Sequence, residues 1–197
     1  MRLAMLMAQG NLQDDCLEPE RKDIRLWATE DQFKARLAMV HAGVGFWHAR
    51  RYSTGAFYEA INIFLTTLAI WAYSSFANHP KGRGSEVGLT AEQDDPTASS
   101  DDSTLPSFIQ LDRPTDDELV QFYVRRGSNM AALISGIGNI HGSGAPTRTL
   151  KEGRKILLQM ANWGISTRFI WTLTRLIDYS EKTENSMTSS SEHTPVA

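Results

Sequence analysis

The sequence predicts an all-α chain: an irregular helical domain of about five to seven helices, with a disordered internal linker and a disordered tail. Three observations carry that expectation. Apolar residues recur at spacings of three and four in several stretches, the period of a helix with one buried face. Threonines followed three residues later by Gln or Glu precede or open these stretches, as in a capping box. Apolar–polar alternation over strand length hardly occurs.

Residues 1–76 read as an N-terminal helical part. The opening MRLAMLMAQG has one Arg and an apolar stretch that reaches Gln9 too soon for the core of a secretion signal. The segment QDDCLEPE around Cys16 reads as surface. Thr29 and Gln32 form the first capping box, followed by Phe33, Leu37, Val40, Val44 and Trp47 as one apolar stripe to about Arg51. Ser53, Thr54 and Gly55 break the chain. A helix from about Phe57 to Phe76 follows, uncharged from Ala60 onward and flanked by Arg50, Arg51, Lys81 and Arg83. A membrane span needs roughly 20 mainly apolar residues. This run is shorter and holds Asn62, Thr66, Thr67, Ser74 and Ser75, so the reading is a helix buried in the domain. A membrane-associated protein anchored by the 60–76 helix is the alternative.

Residues 77–107 are rich in Gly, Pro, Ser and acids, with few large apolar residues to bury, Val87 and Leu89 among them, and read as a disordered linker. Order resumes at Phe108, opening a C-terminal helical part over 108–179 that packs on the first. Thr115 and Glu118 form a second capping box; Leu119, Phe122 and Tyr123 share a face, Arg125 and Arg126 suit the last turn, and Gly127 stops the helix. After a small-residue stretch from Asn129 to Gly144, Thr149 with Glu152 caps a third helix ending at Trp163-Gly164. Ser166 starts the last, striped by Phe169, Ile170, Leu173, Leu176 and Ile177. Residues 180–197 read as a polar, disordered tail.

Composition narrows the function. With a net charge of -3, the chain lacks the basic excess that autonomous nucleic-acid binding calls for. Cys16 is the single cysteine, so neither an internal disulfide nor a paired-thiolate zinc site can form, which suits a reducing compartment. His41 and His48 stand seven apart, where two ligands on one helix need three or four. No catalytic, cofactor-binding or metal residue is assigned, and the expectation is not an enzyme. The run GIGNIHGSG (Gly136, Gly138, Gly142, Gly144) misses the dinucleotide spacing and reads as turns and close packing. Trp163-Gly164-Ile165-Ser166 joins helices as a packed αα-hairpin, since the second has only Arg168 and Arg175 to offer DNA. Arg50-Arg51 and Arg125-Arg126 read as helix ends, ion-paired with Glu59, Asp116 or Asp117.

Two blocks are more distinctive. HAGVGFWHARRYSTGAFYEAINIFLTTLAIWAY runs from His41 to Tyr73, and FIQLDRPTDDELVQFYVRRG from Phe108 to Gly127, followed by GIGNIHG and LKEGRKILLQMANWGIS. In this order they resemble the C-terminal part of the fungal-specific transcription factor domain, the helical regulatory region of fungal zinc-finger transcription factors, over about Ile24 to Leu176. The resemblance implies nuclear regulation of transcription by RNA polymerase II and transfers no catalytic residues. In that family DNA is contacted through a zinc module near the N-terminus, of paired-Cys/paired-His fingers or a six-cysteine cluster. Here those cysteines and the first part of the helical domain have no counterpart. The expectations are therefore a fragment, a truncated gene product, or action without direct DNA contact. Zinc and DNA binding are expected only of a full-length relative; protein partners or self-association are expected of this chain, and no membrane or small-molecule substrate. Missing helices would leave apolar surface uncovered, with Phe57, Phe64, Leu68 and Trp71 as its expected members.

Overall fold

A computed structural model describes residues 1–10, 14–77 and 106–189. The linker expected over 77–107 therefore lies almost wholly outside the described residues, as does the end of the tail. Among those described, helices dominate: α1 (Arg2–Ala8), α2 (Asp14–Thr29), α3 (Gln32–Tyr52), α4 (Phe57–Phe76), α5 (Asp117–Arg126), α6 (Ala145–Leu158) and α7 (Gly164–Ser189). The tail boundary moves: the helix does not stop at Ser180 but continues to Ser189. Its extension is tied down by a 2.7 Å ion pair between Lys151 of α6 and Glu181.

α4 is the central post. Ala60, Ile63, Thr67 and Ile70 are at most 1% exposed, and α2, α3, α6 and α7 all pack on it. Phe64 stacks on Phe169 of α7 at 4.1 Å between ring centroids. Gly153 of α6 sits against Thr67, where any β-carbon would overlap the threonine side chain. The turn from α3 into α4 is closed by Glu59. Its carboxylate accepts hydrogen bonds from Ser53 Oγ, Thr54 Oγ1 and the Thr54 and Gly55 amides, at 2.6–3.1 Å. Desolvation pushes its pKa up, but these donors outweigh it and hold the group at about 2. Gly55, at φ +73°, supplies the turn conformation that side chains resist, and its carbonyl accepts the Trp163 indole N–H at 2.7 Å.

A small sheet accompanies the helices, a feature not expected from the sequence. β1 (Phe108–Gln110) pairs in parallel with β2 (Ala131–Ile134), which pairs antiparallel with β3 (Gly138–Asn139), in the order β1-β2-β3. The strands have three, four and two residues, too short to show a period. Ile109, Ala132, Ile134, Ile137 and Ile140 are almost fully buried and join the helical core.

Cap positions also shift. Thr29 ends α2, its hydroxyl donating to Arg25 O, and Asp31 precedes α3 instead. Asp116, not Thr115, caps α5, accepting the Glu118 amide at 2.9 Å; Thr115 instead donates to the Gln110 and Arg113 carbonyls. α6 opens at Ala145 with Pro146 in its first turn, so Thr149 lies inside it, donating to Ala145 O. A threonine back-bonded within a helix and one that caps it share the same sequence signal. α1 is too short to show a helical period, and α2 runs unbroken through Pro19, a residue that in sequence reads as a helix breaker.

Candidate functional site

The features weighed for chemistry do not converge. GIGNIHGSG forms the β2–β3 turn and the entry to α6, with Gly136, Gly138 and Gly144 at positive φ. Its carbonyls at Ile137 and Ser143 accept the Arg148 guanidinium at 2.7 and 2.8 Å. His41 and His48 are exposed on α3, and Cys16 lies in α2, with its side chain outside the described ones. Among the described residues no three His, Cys, Asp or Glu side chains are grouped to hold a metal, and no helix is long and apolar enough to cross a membrane.

The two distinctive blocks meet each other. Arg50, from the first, donates to Asp112 of the second at 2.7 Å, to Ser135 O at 2.5 Å and to Glu152 at 3.0 Å. Asp112 is only 4% exposed and also accepts the Ser135 amide and the Gln110 side-chain amide. Arg50 therefore joins α3 to the sheet and α6, and its partners are not the Glu59, Asp116 or Asp117 expected from sequence. Two turns earlier in the helix, Gly43 lets α3 press onto the Leu111 backbone, where a β-carbon would stand 2.6 Å from the carbonyl carbon. Buried Arg36 closes the C-terminal end of α5, donating to Val124 O at 3.0 Å and Arg125 O at 3.3 Å. Beside it, burial pushes up the Tyr73 and Tyr123 hydroxyl pKa values, against the opposing charge of Arg36. These contacts tie α3, α5, α6 and the sheet together.

The outer face of α3 is open to solvent. Phe33 is 52% exposed, Leu37 36% and Val44 49%, with Val40 and Trp47 half-buried between them. These five lie within about 80° of arc and extend about 21 Å along the helix. This is the apolar stripe that the sequence pattern predicts. The buried face is the opposite one, made of Ala35, Arg36, Met39, Ala42, Gly43, Phe46 and Ala49. The expected uncovered face is corrected too: Phe64, Leu68 and Trp71 are 2–6% exposed, and only Phe57 of that set is open, at 46%. The side of α4 that carries Phe64, Leu68 and Trp71 is covered by its own chain, while Tyr58 and Leu65 stay open with Phe57.

The alternation of four and three along the open stripe is the spacing of knobs that fit a second helix. Lys34, His41, His48 and Arg51 are exposed along the same helix. Comparison with family models, curated proteins and solved structures returns no match for this chain.

Proposed function

We propose that this chain is the regulatory region of a fungal transcription factor, modulating RNA polymerase II transcription in the nucleus through protein–protein contacts. DNA is reached through a zinc module outside this chain, and the domain carries no catalytic role. The observation that supports contact-mediated action is the outer stripe of α3, apolar, half-exposed and spaced for a partner helix. A monomer seldom exposes such a row without a use for it. The Arg50–Asp112 joint is consistent with the resemblance, because it explains why the two distinctive blocks occur together.

The test joins the chain to a heterologous DNA-binding module and measures a reporter. Wild type is expected to change transcription, and the Leu37→Glu/Val44→Glu double variant to lose most of that change while keeping its circular dichroism and melting temperature. A reporter that wild type leaves unmoved defeats the transcriptional reading. A double variant that acts like wild type defeats the assignment of the stripe.

A further inference from the structure

On the side of the molecule where α2, α4 and α7 meet the entry of α6, a cleft of about 700 Å³ opens. That volume falls within the range of small-molecule sites, roughly 300–1,000 Å³. Trp71, 4% exposed, with Phe76 and Tyr179 half-buried beside it, gives the cleft an apolar wall, and Ser74, Ser75, Ser143 and Ser180 also line it. Two guanidiniums one turn apart on α2 border it. Arg21 is anchored, donating to the Tyr179 hydroxyl at 3.2 Å and lying 3.7 Å from Glu18. Arg25 also lines the cleft and is exposed. Among the described residues Glu18 is the carboxylate on the lining, beside the two guanidiniums.

We infer that this cleft binds a small amphipathic organic anion: an aromatic or short aliphatic body carrying one carboxylate, sulfonate or monophosphate. The apolar wall takes the body. The guanidiniums take the head, since their planar donor fork matches the oxygens of such anions. Arg21, already oriented by Tyr179, needs little further ordering to do so. The start of α6, which has no acidic residue in its first turn, adds a favourable field at the far rim. An uncharged ligand of the same shape leaves the guanidiniums without that contact, which makes the site selective for charge. The inference does not rest on the transcriptional reading and concerns the side of the molecule built by α2, α4 and α7, not the outer stripe of α3.

The test uses the full chain and two probes that differ by one group, anilinonaphthalene sulfonate and uncharged N-phenylnaphthylamine, followed by fluorescence titration. One sulfonate probe per chain is expected, bound roughly tenfold more tightly than the uncharged one. Arg25→Ala, at an exposed position that leaves the fold intact, is expected to remove most of that preference. Ser75→Trp, which places an indole at the mouth, is expected to weaken both probes. Leu37→Ser/Val44→Ser is expected to change neither. Equal affinity for the two probes overturns the inference, as does a sulfonate affinity indifferent to Arg25→Ala, or loss of binding in the α3 variant. Competition by benzoate or by phenyl phosphate then tells a carboxylate site from a phosphate site.

Discussion

Helices α3 and α4 have 21 and 20 residues, follow one another in sequence and pack together, yet they meet the demand for burial in opposite ways. α4 is apolar nearly all round and buries Ile63, Phe64, Leu68, Ile70, Trp71 and Tyr73 among its neighbours, leaving Phe57, Tyr58 and Leu65 open. α3 turns its most visible apolar row to solvent and buries alanines, a glycine, Met39, Phe46 and an arginine. The difference teaches that burial follows shape as well as hydrophobicity. Where α3 approaches the Leu111 backbone and the end of α5, only small groups, or a long chain that satisfies carbonyls, will fit.

The most direct way to break the comparison is to truncate one residue on each helix. Phe64→Ala is expected to cost about 3–5 kcal/mol, because it removes a stacked ring from a closed core. Leu37→Ala is expected to stay within about 0.5 kcal/mol. Urea unfolding measures both. Similar losses would mean that α3 buries its stripe after all.

Arg36→Met sharpens the case for the inner face of α3. It keeps much of the apolar stem and removes the donors that serve Val124 O, Arg125 O and Gln32 Oε1. A loss of roughly 2–3 kcal/mol is expected. A variant as stable as wild type would show that packing alone holds α5 against α3.

The smallest effect concerns the join between the two helices. Glu59→Gln is expected to cost roughly 1 kcal/mol at neutral pH, since a neutral amide is a weaker acceptor for the Ser53, Thr54 and Gly55 donors. The folded pKa of about 2 lies below the ordinary 4.5, so the carboxylate stabilises the fold fully above that ordinary value. The contribution fades as pH falls from about 4.5 towards 2. Melting curves of wild type and variant should therefore converge over that interval, and a constant gap would refute the assignment.

Much of this was legible in advance. The all-helical character, the bounds of α3 and α4, and the burial of α4 follow from local pattern: a charge-free helix of that length has few places to go outside a core. The capping threonines misled by one or a few residues, because the same side chains cap, close turns or bond back within a helix. The cleft gave no local signal, since its borders come from residues as distant as Arg21, Trp71 and Tyr179.

By itself, then, the sequence determined the helical class, the absence of paired cysteines and the existence of two apolar rows, one on α3 and one throughout α4. Tertiary structure decided which row faces inward. Periodicity reports that a helix has an apolar side, whereas burial depends on what stands opposite. Opposite the inner side of α3 stand a strand end, a helix terminus and α4, too close for Phe33, Leu37 or Val44 and well matched to Gly43, Ala35 and Arg36.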